Sequence, residues 1–254
     1  MSIPSAPPFG CLYGVGVGPG DPELISVKGL RALQQVPVVA FPAGVKGKTG
    51  VAERIIEPWL NSTQQKLPLT FPYVQDPSVL EAAWQQAAQE VGKYLVKGQD
   101  VAFASEGDVS FYSTFTYLSQ NVQALYPDAK VETIPGISSP MTAAAAVGLP
   151  LTVQRDRLAI LPALYCLDDL TTALTWADVI VLMKAGSVYE QVWPILQQAQ
   201  LLDHSYVIVE ASTPQQQIYQ NLQNYPTLKL PYFSLLIVYV KNAPQRPTID
   251  PVSA

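Results

Sequence analysis

Short apolar runs rich in valine, isoleucine and aromatic residues alternate along this chain with stretches in which apolar positions recur every three or four residues. The runs LYGVGVG (12–18), VPVVAFP (36–42), VAFAS (101–105), KVETIP (130–135), RLAILPA (157–163), DVIVLMK (178–184), SYVIVEAS (205–212) and YFSLLIVYV (232–240) predict strands. Several lack polar alternation, as expected of strands covered on both faces. Between them, 78–97 places Leu80, Ala83, Trp84, Ala87, Val91, Tyr94 and Leu95 on one helical face. Ser78 with Glu81 has the spacing of a capping box, and Gly98 supplies a stop. Ser187 with Glu190 repeats the start signal before VWPILQQAQ, where Pro194 should interrupt or kink the helix. Strands alternating with helices imply βαβ units and a mainly parallel sheet. The strands from 205 onward are spaced less regularly and could pair antiparallel. Count and length suggest two α/β domains, 1–136 and 137–243, joined near IPGISSP (134–140), with a Pro-rich tail at 244–254 expected to be disordered.

Composition narrows the function. Hydrophobic residues make up 48% of the 254 and charged residues 14%, enough for a buried core and unlike a disordered chain. No apolar run reaches the ~18 residues of a membrane span. The opening MSIPSAPPFG lacks the basic and apolar regions of a secretory signal, so a cytoplasmic protein without a membrane partner is expected. A net charge of −5 without a basic cluster argues against nucleic acid. Cys11 and Cys166 form no CxxC pair, and His204 is the sole histidine. A histidine-based zinc enzyme is thereby excluded, a hydrolytic triad would have to use that one residue, and no protein-bound metal is expected. His204 itself lies between a helical end and an apolar strand, which suits a loop.

Four glycines within 14–20 end the first predicted strand, ahead of the helical stretch ELISVKGLRALQQV. A dinucleotide fingerprint needs G-x-G-x-x-G, but Pro19 stands where the third glycine belongs. GVKGKTG (44–50) has Gly47, Lys48 and Thr49 of a phosphate-binding loop, yet Pro42 replaces its first glycine. Glycine turns recur after two more strands, in SEGDVSF (105–111) and PGISS (135–139). Ligands of open α/β sheets sit at the carboxyl ends of strands, so three such loops imply one pocket built largely from backbone. Each taken singly is also a simple tight turn.

YGVGVGPGDPELISVKGLRAL, ASEGDVSFYSTFTYL and ETIPGISSPMTAAAAVGLPL, in that order and spacing, resemble the tetrapyrrole methylase family. EGD-x-SFYSTF and LPYFSLLIV look most like the branch that methylates C20 of precorrin-2 in cobalamin biosynthesis. The resemblance spans about 11–241. It implies two α/β domains, a homodimer, and S-adenosylmethionine held in a cleft between the domains. Matched residue by residue, it implies cofactor contacts at Pro19, at Glu106, Gly107 and Asp108, at Phe111, at Ser138 and Ser139, at Met183 and at Ser212. The chain departs from the family pattern at Val109, where proline is usual, and at Ala211-Ser212, where a glycine-containing turn is usual.

Methyl transfer from a sulfonium is an in-line displacement, for which alignment can supply ~7–11 kcal/mol of the barrier without metal or covalent intermediate. No residue stands out as the base; Asp108 is the nearest candidate, with a structural role in its own loop as the alternative. A tetrapyrrole carrying eight carboxylates needs cations from this acidic chain. Lys28, Arg31, Lys46, Lys48, Arg54, Arg155, Arg157 and Lys184 lie near predicted strand ends or in neighbouring loops, and Arg31, Lys46 and Lys48 are the substrate-binding candidates. The loop carrying Lys46 and Lys48 is expected to close over the macrocycle. Methylation at another carbon of a corrinoid or uroporphyrinogen, a non-catalytic tetrapyrrole-binding protein, and a nucleotide enzyme remain the other readings.

Overall fold

The computed structural model describes residues 9–241 apart from 45–47, 73, 75 and 163–166. Lys46, Cys166 and the 244–254 tail lie outside the described residues. The chain divides into two compact units, with the break between Ser138 and Ser139.

In the first unit five strands form one parallel sheet: β1 (Cys11–Gly16), β2 (Val38–Pro42), β3 (Gln65–Leu69), β4 (Val101–Ser105) and β5 (Lys130–Ile134), in the order β3-β2-β4-β1-β5. Because successive side chains point to opposite faces, each central run feeds two cores. Leu12, Val38, Ala40, Val101 and Phe103 pack with α3 (Pro77–Leu95) and α4 (Phe115–Leu125). Val15, Val39, Phe41, Ala102 and Ala104 pack with α1 (Val27–Gln35) and α2 (Val51–Ile56). Burial on both faces is why these strands show no polar alternation.

Two strands carry no apolar signal. β3 is QKLPL, mostly exposed, and pairs only with β2. An edge strand buries little and needs hydrogen bonds on one side, so Pro68 is tolerated there. In the second unit, β9 (Gln217–Gln220) is likewise a polar edge strand, paired antiparallel with β8 (Ser205–Val209).

Three helix starts differ from the pattern. α3 begins two residues earlier than its capping box implied, with Asp76 as N-cap accepting from Ser78 N at 2.9 Å and Pro77 in the first turn. Its stop holds, since Gly98 has φ of +73°. The stretch 23–36 is not one helix: a 3-10 turn at Pro22–Leu24 precedes extended Ile25, and Ser26 then caps α1 through Gly29 N at 3.1 Å. Ser187 does not cap α7 (Tyr189–Gln198); it belongs to a 3-10 turn, and α7 runs through Pro194.

The second sheet is mixed, in the order β6-β7-β10-β8-β9. β6 (Leu158–Leu161) is parallel to β7 (Val179–Met183), while β10 (Ser234–Tyr239) runs antiparallel to both β7 and β8. α6 (Leu167–Trp176) and α7 cover the face bearing Ile180, Leu182, Val207 and Leu236. α5 (Ser139–Val147), through Ala143, Ala144 and Val147, packs on the face of Val181, Ile208 and Ile237. No helix among the described residues is long and apolar enough to cross a membrane.

Candidate functional site

The strand order sets β4, β1 and β5 side by side, all parallel, so the three predicted glycine loops leave from one edge. They are stitched to one another by backbone. Val17 N donates to Ser105 O at 2.9 Å, extending the β1–β4 ladder past its end. Gly18 and Gly107 then exchange two bonds, Gly107 N to Gly18 O at 2.8 Å and Gly18 N to Gly107 O at 3.2 Å. A Cβ on Gly16 would lie 2.5 Å from Gly136 N and 2.8 Å from Gly107 O. Gly16 is therefore a packing requirement between loops rather than a point of ligand approach.

Gly107 is different. Its φ is +68°, a region that disfavours other residues, and a Cβ there would meet nothing nearer than Ile137 O at 3.9 Å. Open space over a left-handed glycine, flanked by half-buried Pro19 and Glu106, makes a backbone cradle.

Asp108 closes the construction. Its carboxylate accepts from Ser110 N at 2.8 Å and from the Ser110 hydroxyl through one oxygen, and from Gly136 N at 2.7 Å through the other. Burial pushes this carboxyl up, but those three donors together hold it below the usual carboxylate range. A carboxylate so engaged ties the second loop to the third and is poorly suited to take a proton. Beneath it, the buried Ser105 and Ser113 hydroxyls lie 2.7 Å apart, and Ser113 Oγ accepts from Phe115 N at 3.1 Å, setting the start of α4. Phe111 is half-buried and meets Tyr112 edge-on, with ring centroids 4.8 Å apart. Val109, in place of the usual proline, is 3% exposed and joins the core with Phe103 and Phe115.

Six of the nine implied contacts (Pro19, Glu106, Gly107, Asp108, Phe111 and Ser138) belong to the first unit. Ser139, Met183 and Ser212 belong to the second. Ser139 opens α5, Met183 ends β7, and Ser212 follows β8. The turns after β7 and β8 hold three non-glycine residues at positive φ: Lys184 at 57°, Glu210 at 46° and Ser212 at 67°. Such backbone costs about 1–2 kcal/mol per residue and concentrates at functional sites. Ser212 thus takes a left-handed backbone without the glycine that adopts it at least cost. Ser212 N donates to Gln216 Oε1 at 2.8 Å, and Glu210 N to Phe233 O at 2.8 Å.

The cations scatter. Arg31 lines a hollow beside α1 with Lys28, Tyr13, Asp100 and Ile134, none of which belongs to the glycine loops. Tyr13 there is pushed up to about 12, chiefly by burial and then by neighbouring Cys11. Lys48 is exposed. Arg54 Nη1 donates to Thr49 O at 3.3 Å, closing the turn before α2. Arg157 is committed to Asp178, with Nε to Oδ2 at 3.1 Å and Nη2 to Oδ1 at 3.3 Å, so it is a structural partner rather than a carboxylate anchor. His204 closes a 3-10 turn before β8, as expected of a loop residue. The loop-to-loop bonds at Gly18, Gly107 and Gly136 are what residue patterns missed; no local signal could reveal them, because the partners are distant in sequence.

Glycine loops clustered at the carboxyl edge of a parallel α/β sheet stand where open α/β sheets place their ligand sites. The family profile of tetrapyrrole (corrin/porphyrin) methylases matches residues 11–224, and the chain belongs to that family. It is 31% identical over 230 residues to the cobalt-precorrin-2 C(20)-methyltransferase of Salmonella typhimurium, covering 90% of this chain and 96% of that protein. It is 32% identical over 237 residues to the cobalamin biosynthesis protein CobIJ of Mycobacterium tuberculosis, and spans about half of that protein (46%). The solved uroporphyrin-III C-methyl transferase from Thermus thermophilus complexed with S-adenyl homocysteine shares the fold. It has a TM-score of 0.60 and 20% identity over 90% of this chain and 97% of that one.

Proposed function

We propose that the protein transfers a methyl group from S-adenosylmethionine to C20 of precorrin-2 or its cobalt-containing counterpart. The observation that carries this reading is the stitched triplet of loops at the β4-β1-β5 edge, in a chain that aligns along nearly its whole length with a cobalt-precorrin-2 C(20)-methyltransferase. The residues present fit the cofactor. A backbone cradle over Gly107 that a side chain would fill suits a ligand recognised by main-chain donors and acceptors.

When bound, S-adenosylmethionine supplies an electrophilic methyl group. The chain's own part is to hold and orient. Pro19, Glu106, Gly107 and Phe111 in the first unit, with Ser138 and Ser139 at the start of α5, would hold the cofactor. Met183 and Ser212 complete the set of contacts that the family resemblance implies. Asp108 acts through the loops it ties together, as a positioning residue. Orientation of this kind can supply ~7–11 kcal/mol of the barrier, which is why a site of backbone groups suffices. Lys48 and Arg31 are substrate candidates from the first unit, and Lys46 lies outside the described residues. A cytoplasmic homodimer without a resident metal completes the reading.

Incubation with methyl-labelled cofactor and precorrin-2, with and without cobalt, tests it, the new methyl being located by NMR. A methyl at C20 is expected; a methyl on another ring carbon, or none, overturns the reading. Titration of S-adenosylmethionine in the presence of a chelator should give unchanged binding, and sedimentation should give a dimer mass.

A further inference from the structure

Residues 230–233 form a clamped corner in the second unit. A Cβ on Gly186, in the turn leaving β7, would lie 2.6 Å from Leu230 O and 2.8 Å from Pro231 O, so backbone packs on backbone there. Ser234 Oγ donates to Pro231 O at 2.7 Å. On the other side Glu210 N, in the turn leaving β8, donates to Phe233 O at 2.8 Å. The corner is thus held by the two turns that carry Met183 and Ser212. It nevertheless leaves Tyr232 46% and Phe233 40% exposed, their rings edge-to-face with centroids 5.1 Å apart. These two exposed aromatic side chains, on a backbone held from both sides, present an apolar face at the surface.

Over that surface stands a cation. Lys184 Nζ lies 5.0 Å from the centroid of the Tyr232 ring, within range of a cation–π contact. Its backbone is left-handed, at φ of 57°, where lysine is strained. No carboxylate lies within ion-pair distance of Lys184 among the described residues. Strained backbone and an aromatic face together aim one ammonium beside an exposed ring pair.

We infer that Lys184 anchors a peripheral carboxylate of the tetrapyrrole, with Tyr232 as the positioning residue that aims its ammonium and Phe233 completing the apolar face. A flat macrocycle fringed with carboxylates matches both chemistries of the corner. This rests on the methyltransferase reading for the identity of the substrate.

The test is direct precorrin-2 binding alongside methyl transfer, with Lys184→Gln, Lys184→Arg, Tyr232→Leu and Tyr232→Phe. Lys184→Gln should weaken tetrapyrrole affinity and raise its KM about three- to tenfold at low salt, with the effect shrinking as salt screens the charge. Cofactor affinity and Tm should not follow. Lys184→Arg should restore binding, Tyr232→Phe should keep it, and Tyr232→Leu should lose part of it. Unchanged precorrin-2 affinity in both Lys184→Gln and Tyr232→Leu would overturn the inference. Wild-type protein that binds precorrin-2 but leaves C20 unmethylated would overturn the proposed reaction while the Lys184 comparison still decides this one. Wild-type protein that binds no precorrin-2 would overturn both.

Discussion

Replacing Asp108 by asparagine separates two roles that a carboxylate in a glycine loop could have. In the wild type one oxygen accepts from both Ser110 donors and the other from Gly136 N at 2.7 Å. Asparagine can keep its carbonyl toward Ser110, but its amide then points N–H at N–H toward Gly136. One charge-assisted bond is lost, about 1.5–3 kcal/mol. For a chain of this size that lowers Tm by about 3–12 °C at ~2–4 °C per kcal/mol. The third loop is released from the second, so the cofactor Kd should rise, while kcat at saturating ligands stays within about tenfold. A general base would behave otherwise, with a loss of ~10²–10⁴ in kcat and of the acid limb of the pH–rate profile. The sign of the pH effect on stability is also set. The folded carboxyl titrates below its ordinary value, so its contribution is present above the unfolded pKa of ~3.9 and fades as pH falls through the folded one. Asp108→Asn should flatten that acid loss. Differential scanning calorimetry, cofactor titration and a pH–rate profile on the same preparation give the answer. A hundredfold drop in kcat at unchanged Tm and unchanged cofactor affinity would refute the positioning role.

Gly107→Ala puts a methyl into open space at φ of +68°, so it should cost about 1–2 kcal/mol of strain, roughly 2–8 °C in Tm, and weaken the cofactor more than the fold. Gly16→Ala meets backbone on two sides and should destabilise by about 1–3 kcal/mol, so equal melts with equal cofactor affinities for both variants would count against the cradle. Asp178 accepts from the Arg157 side chain, then from Lys241, which hold its carboxyl far below the usual range. Its contribution is present above ~pH 4 and lost as pH falls, so Asp178→Asn should lower Tm at pH 7 and leave a smaller further fall between pH 5 and 3. A variant whose Tm falls between those pH values as steeply as the wild type's would count against that assignment.

The central strands were legible because burial on both faces leaves a mark on every residue of a run: VAFAS is β4 from Val101 to Ser105, and SYVIV is β8. The three glycine loops and the family they resemble were legible too, because a turn that must follow a strand closely restricts residue type locally. β3 and β9 were not, since an edge strand answers to one neighbour and can be as polar as QIYQ. Nor was the cap of α3, where the Asp76 carboxylate takes the N-cap place that the spacing of Ser78 and Glu81 gave to the Ser78 hydroxyl. Most of the site's logic is non-local. Gly16 is needed because Gly136 lies against it, 120 residues further on, and Asp108 is occupied because Gly136 N reaches it. Both facts follow from β5 joining the sheet beside β1 on the side away from β4. Arg157 and Lys184 look alike as cations near strand ends, yet one is bound to Asp178 and the other stands over Tyr232. Local patterns record how much of a residue is buried; which groups meet is decided only when strand order brings distant segments together.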